Sequence, residues 1–425
     1  MIYVVKRDDT LYKIAQRYNL TVEDIVAVNQ INVEDYLVIG QTLFIPINNR
    51  IHTVVQGESL YLIARNYGIT LEALQRANPG ILPPYTIYPG DQIIIPLAPS
   101  KLGEIEVNGF AYPTIRQNVL GATLPYLTYL SIFTYRVNPD GSLVDIADTN
   151  IINQAIMSDV APMMTIANTL PDGTFSGEVS SEILTNEAVE DALIDNVLRV
   201  LEEKNYYGIV VDFEYINPAE RDNYTRFLTK LTRVLRPLGF LVFVAVAPKV
   251  RADQRGTLYE AHDYDAIGQI VDRVIIMTYE WGYLYGPPMA VAPLNSVKEV
   301  LDYAVTAIPS EKILMGIPNY GYDWTLPFVR GTAARILTNV GAVNLAREVG
   351  ANIEFDQAAQ SPFFTYYKDN AQHIVWFEDA RSIDAKLRLV EKYNLAGVSY
   401  WELSNYFPQN WLVQDSLYNV VKVID

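Results

Sequence analysis

Between residue 102 and the C-terminus, eight short apolar runs alternate with amphipathic stretches, and most of the runs end in polar or aromatic residues. They are EIEVNGFAY (104–112), TYLSIFTYRV (128–137), APMMTIAN (161–168), YGIVVDFEY (207–215), FLVFVAVAP (240–248), VDRVIIMTYE (271–280), KILMGIPNYG (312–321) and LAGVSYWEL (395–403). Near-continuous apolarity marks strands buried on both faces, the condition of a parallel sheet covered by helices. Helical periodicity fills 186–204, 223–238 and 296–307 between them. Eight strand–helix units predict a closed (β/α)8 barrel of the α/β class, with its chemistry at the C-terminal strand ends. The connection 322–394 is too long for one helix and contains ANIEFDQAAQSPFFTYY and QHIVWFED. It predicts a small α+β insertion at about 325–376, after which SIDAKLRLVEKY supplies the final helix.

The first hundred residues follow another pattern. LYKIAQRYNLTVEDIVAVN from Leu11 matches LYLIARNYGITLEALQRAN from Leu60, a tandem repeat with a period of about 49 residues. Each copy predicts a short strand (3–5; 53–55) and a helix capped by Thr10 or Ser59. A second helix is entered at Thr21 or Thr70 and closed by Asn29 or Asn78. A turn at Gly40 or Gly90 then leads to a strand stopped by Pro46 or Pro96. Segments 47–50 and 97–101 read as linkers, which sets two modules at 1–47 and 51–97 and the barrel at 102–425.

In the fourth run, Asp212 and Glu214 share one face of a strand while Phe213 takes the other. Carboxylates held together in partly apolar surroundings take different pKa values, one keeping its proton near neutrality, which suits acid–base work on a neutral bond. An acidic strand end that only faces water is the simpler reading of this pair in isolation.

Composition narrows the chemistry. The chain has no cysteine and only three histidines, His52, His262 and His373, far apart in sequence, so thiol catalysis is excluded and neither a metal centre nor a cofactor is expected. A formal charge of −17 argues against nucleic acid and anionic membrane surfaces as partners. Thirty tyrosines suit contact with sugar rings. The start, MIYVVKRDDTLYKIA, lacks the features of a secretory signal, and no apolar run is long enough to span a membrane. A soluble monomer without a signal peptide is expected.

The two repeats resemble LysM domains, βααβ modules that bind glycans containing N-acetylglucosamine. The resemblance implies a sugar groove formed by Asp9, Thr10 and Leu11 with Ile39, and by Glu58, Ser59 and Leu60 with Ile87. The first loop of the second copy is one residue shorter.

The strand ends resemble glycoside hydrolase family 18. YGIVVDFE keeps the last two acids of the family's DxxDxDxE but has Tyr207 and Val210 in place of the others. MTYEWG is similar to MxYD with Glu280 for the aspartate, GIPNYG follows on strand seven, Trp401 ends strand eight, and APMMTIAN replaces SxGG. The combination with LysM repeats resembles the family 18 enzymes of spore-forming bacteria that degrade cortex peptidoglycan during germination, which implies a location at the spore coat, cortex or cell envelope. It implies a retaining, substrate-assisted mechanism in which the 2-acetamido oxygen attacks C1. Glu214 is then general acid and base, Asp212 orients the acetamido group and stabilises charge, and Tyr279 holds the acetamido oxygen. Trp401, Glu280, Trp281, Asn319, Tyr320 and Trp324 are candidate sugar contacts. With Val210 in the motif, a pH profile unlike that of a typical chitinase is expected. A non-catalytic glycan-binding protein and a chitinase acting on chitin are the alternatives.

Overall fold

The computed structural model describes all residues except 47–48, 68, 70, 72–73, 76–77, 79–80, 82–84, 97–100 and 425. Its parallel strands β1 (Gly103–Ala111), β2 (Tyr129–Val137), β3 (Ala161–Ala167), β4 (Gly208–Asp212), β5 (Leu241–Val246), β6 (Arg273–Ile276), β7 (Ile313–Pro318) and β8 (Gly397–Trp401) form a closed barrel, β8 pairing back onto β1. Each apolar run of the sequence overlaps one of these strands. Most of the strands are shorter than the runs because the chain leaves the ladder at the C-terminal rim, where side chains turn toward the cleft. Outside, the helix Glu187–Lys204 is representative: Asn186 caps its start, Asn205 ends it at φ 58°, and Leu193, Val197, Val200 and Leu201 face the sheet. Inside, Phe110, Tyr129, Met163, Val210, Phe243, Ile275 and Leu314 fill the barrel. Val423 and Ile424 pack on this cluster, and the Tyr207 hydroxyl donates to the Val423 carbonyl at 3.0 Å.

Three boundaries differ from expectation. Strand seven stops at Pro318, and Tyr320 opens a separate strand, Tyr320–Leu326, so the insertion starts ahead of 325. The Asn319 N–H makes the last bond to the barrel, to the Trp401 carbonyl at 2.8 Å, before the chain joins a five-stranded antiparallel sheet flanked by the helix Asn339–Glu348. The final helix is Pro408–Leu417, not Ala380–Tyr393; it buries residues around most of its circumference, which erases the amphipathic period. In the second repeat the first strand is Asn49–Thr53, so part of the expected linker belongs to the module.

In both modules a two-stranded antiparallel sheet, Ile2–Val4 with Thr42–Phe44 and Asn49–Thr53 with Gln92–Pro96, packs on helices capped by Thr10, Ser59 and Thr21. Thr70 and most of the two linkers lie outside the described residues. Asn29 and Asn78 do more than end a helix. The Asn29 side chain receives the Phe44 N–H and donates to the Phe44 carbonyl, both at 2.7 Å, and Asn78 does the same to Ile94 at 2.7 and 2.6 Å. Each asparagine thereby stitches helix to closing strand.

The first module is docked on the barrel. Gln409, at the start of the last helix, bonds to Asn29 and Thr42; the Ile353 N–H of the insertion donates to the Ile39 carbonyl at 2.8 Å; and Asp35 pairs with Arg347 at 3.2 Å. Gly40 sits at φ 85°, and a Cβ there would meet the Ile353 carbonyl oxygen at 1.8 Å. Its counterpart Gly90, at φ 98°, has open space. Gly40→Ala is therefore expected to destabilise the seam by about 1–3 kcal/mol, more than Gly90→Ala, which carries backbone strain alone. Thermal unfolding of the two variants checks this, and equal shifts would show that the seam does not constrain Gly40.

Candidate active site

β4 ends at Asp212, and the next residues form the rim. Phe213 turns outward into the helix layer, stacking on Phe227 (5.9 Å between centroids) and Tyr224 (6.2 Å). Asp212 is buried above Val210. Glu214 lines a cleft of about 390 Å³ together with Tyr215, Tyr259, Met277, Tyr279, Glu280 and Tyr283. A second cavity, about 250 Å³, lies in the seam between the first module and the barrel and contains none of these acids.

The apolar barrel interior beneath the pair sets its electrostatics. Asp212 Oδ1 finds no hydrogen-bond partner among the described residues, and burial pushes the carboxyl up to about 7. Glu214 is held well above the usual carboxylate range, first by burial and then by the negative charges of Asp212 and Glu280. The carboxyl that faces the cleft thus holds its proton more tightly than a free carboxyl does. Burial, with the same three carboxylates nearby, pushes the Tyr279 phenol well up, so it stays a donor beside them. Glu280, at φ 68°, turns its Oε1 onto two phenols, Tyr320 and Tyr322, the latter at 2.9 Å. Burial raises its carboxyl and the two phenol hydrogen bonds oppose that rise.

Trp401 ends β8 at the same rim, half-buried, with edge-on contacts to Phe133 (4.9 Å), Phe110 (5.4 Å) and Tyr112 (6.3 Å). Those three aromatics sit in or just after the first two strands, a position that could have flagged them in the sequence. Asn319 is fully buried behind Trp401, and Tyr320 is buried against Glu280. Trp324 is not a sugar platform: it is buried in the insertion's core, and its indole N–H donates to the Gly286 carbonyl at 2.9 Å. Trp281 packs on the core between strands and helices and is absent from the cleft lining. Tyr322, Asn168 and His262 were missed. Tyr322 was legible as the residue two beyond Tyr320 on the same strand face.

The LysM residues divide into classes. Thr10 and Ser59 are exposed caps, whereas Leu11 and Leu60 are core residues, because the first helical position points into the module. Asp9 is tied to the Lys6 N–H and the Tyr3 hydroxyl, and Glu58 to the Val55 N–H and His52. Equivalent turn bonds, Gly40 N–H to Val5 O and Gly90 N–H to Val54 O, align Ile39 with Pro89 and Ile87 with Leu37. Ile87 packs on the core of its module, while Ile39 meets the insertion.

Val210→Asp offers a direct probe of the buried pair. A carboxyl there would be protonated by burial and could donate toward Asp212, favouring the ionised form and lowering its pKa. If ionised Asp212 is the working form, the acid limb of the pH–rate profile moves to lower pH. An unchanged limb in pH–rate measurements would contradict this electrostatic picture.

A (β/α)8 barrel with one buried and one half-buried carboxyl, a phenol and a tryptophan at its C-terminal rim suits a carbohydrate-cleaving hydrolase. Sequence comparison agrees: residues 150–405 match the model of glycosyl hydrolases family 18, and 3–46 and 52–96 match the LysM domain. The chain belongs to glycoside hydrolase family 18 and is a glycosidase carrying two LysM domains. It is 42% identical over 99% of both chains to the cortical fragment-lytic enzyme of Bacillus subtilis. Its structure resembles the spore cortex-lytic enzyme SleL of Bacillus megaterium, with a TM-score of 0.89 and 39% identity, covering 100% of this chain and 99% of that one. SleL of Bacillus cereus matches with a TM-score of 0.85 and 37% identity, over 99% and 98%.

Proposed function

We propose that this glycosidase cleaves β-1,4 bonds at N-acetylglucosamine in peptidoglycan, acting on spore cortex fragments during germination. The observation that carries the reading is the full-length likeness to cortical fragment-lytic enzymes, with the Asp212–Glu214 pair intact in an apolar barrel mouth.

The chemistry assigned to the site is retaining and substrate-assisted. The 2-acetamido oxygen attacks C1 while Glu214 protonates the leaving oxygen; C1–O4 breaks, and an oxazolinium ion forms. Glu214, now a carboxylate, takes a proton from the water that attacks C1 and reopens the ring. Asp212 holds the acetamido N–H and offsets the positive charge, and Tyr279 donates to the acetamido oxygen until it bonds to C1. Trp401 forms the floor of the sugar site, and Glu280, held by Tyr320 and Tyr322, accepts from sugar hydroxyls. Asn319 supports Trp401 from behind.

Two LysM modules on a short linker raise the barrel's effective concentration at a polymer. The protein acts as a monomer at the spore coat, cortex or envelope, with neither nucleic acid nor membrane as partner; no described helix is long and apolar enough to cross a membrane. The test is incubation with purified cortex fragments and, separately, with chitin oligomers, followed by mass analysis of the new reducing sugar. Cleavage of cortex fragments to a reducing N-acetylglucosamine is expected. Turnover of chitin oligomers alone would favour the chitinase reading, and binding without turnover the lectin reading.

A further inference from the structure

We propose that Asn168 and His262 form a two-sided clamp on the main chain of Phe213 and Glu214 and thereby set the position of the catalytic acid. The proposal rests on Glu214 being that acid. The β4 ladder ends at Asp212, so the peptides that carry Glu214 lie beyond regular strand pairing. They are held by side chains instead. Asn168, the residue following β3, is fully buried; its Oδ1 accepts the Glu214 N–H at 2.9 Å and its Nδ2 donates to the Glu214 carbonyl at 2.8 Å and to the Ser176 carbonyl at 2.9 Å. A flipped amide would set donor against donor at Glu214, so the orientation is fixed by its partners.

His262 grips the preceding peptide from the other side. Its Nδ1 accepts the N–H of Ala247, the residue after β5, at 3.0 Å, which places the proton of the neutral ring on Nε2. Nε2–H then donates to the Phe213 carbonyl at 3.0 Å. Burial pushes the imidazole down to about 4, which keeps it in this neutral form. Asn168 directly follows β3, and His262, ahead of the helix Tyr264–Ile270, is tied to the end of β5 through Ala247, so contacts from both strands flanking β4 continue past the ladder. The stacked Phe213 ring fixes the remaining direction.

Neither Asn168 nor His262 lines the cleft, so both are positioning residues that act through the backbone of the acid. Their four bonds to these two residues and to Ala247 decide where the Glu214 carboxyl stands relative to the leaving oxygen. A displacement of about 1 Å at such a site costs on the order of 100-fold in rate.

The experiment compares Asn168→Ala, His262→Ala and His262→Gln with Asn339→Ala, in the full-length protein on cortex fragments, each assayed well below its own unfolding transition. Asn339 is an equally buried asparagine that accepts one backbone N–H, from Glu378 at 2.9 Å, far from the acids in sequence and absent from the cleft lining. Asn168→Ala and His262→Ala are expected to lower kcat by about 10- to 100-fold with KM within a few-fold. His262→Gln, which keeps a donor and an acceptor, should recover most of that loss. Asn339→Ala should lower Tm comparably and leave kcat unchanged. Should Asn168→Ala fail to fold, the histidine pair carries the test alone. The clamp is overturned if the folded variants retain kcat within about twofold, or if Asn339→Ala loses kcat to the same extent. Glu214→Gln is assayed alongside: a fully active Glu214→Gln refutes the assignment of the acid, whereas an inactive one with an active Asn168→Ala refutes only the clamp.

Discussion

Glu214→Gln is expected to lower kcat by about 10³-fold or more while leaving glycan binding in place. The amide keeps the size of the side chain and the backbone bonds to Asn168, which are made by the Glu214 main chain and not by its carboxyl. What it loses is the proton that burial and the charges of Asp212 and Glu280 hold on the carboxyl. Without a general acid the leaving oxygen must depart as an alkoxide, and without its conjugate base the oxazolinium ion waits for unactivated water. The amide is neutral, as is the protonated acid it replaces, so affinity should hold. Turnover and pull-down on cortex fragments measure both; near-full hydrolysis would remove Glu214 from the reaction.

Asp212→Asn has the second-largest expected effect, a fall in kcat of about 10²- to 10³-fold with KM changed only a few-fold. Asp212 is buried, so its contact with substrate is restricted to whatever enters the barrel mouth, and the proposed contact is the acetamido N–H. Pre-orienting an internal nucleophile is worth several kcal/mol, roughly 7–11 in well-aligned cases, and is realised in the transition state more than in the ground state. The variant also removes one of the charges that raise Glu214, so the alkaline limb of its residual activity should move to lower pH. A variant that raised KM while keeping kcat would assign Asp212 to uniform binding. Initial rates across pH on a single cortex-fragment preparation separate these outcomes.

The barrel was legible because burial on both faces makes each strand a near-continuous apolar run, and eight of those between helical stretches leave little choice of architecture. The final helix was not legible, since Trp411, Val413, Gln414 and Leu417 are all buried and no polar face marks its period. In the site, the shared face of Asp212 and Glu214 could be read from strand alternation, whereas Tyr279 rested on the resemblance of MTYEWG to the family's MxYD. Trp324 could not be told from a platform, because a tryptophan in an insertion strand looks the same whether its indole meets Gly286 or a sugar. Leu11 and Leu60 follow caps at the start of a helix, and only the fold shows that this position points into the module core. The clamp from Asn168 and His262 was invisible for a different reason. It joins residues 46 and 49 positions away in sequence through backbone atoms, which leave no trace in side-chain spacing.

The central claim, that the substrate's own acetamido group serves as nucleophile beside Glu214, is tested most directly by the configuration of the first product. Proton NMR of the new reducing end, recorded within the first turnovers on purified cortex fragments and before mutarotation, reads the anomer. The account predicts N-acetylglucosamine released as the β-anomer, the configuration of the bond that was cut. Appearance of the α-anomer would mean direct attack by water and would contradict it.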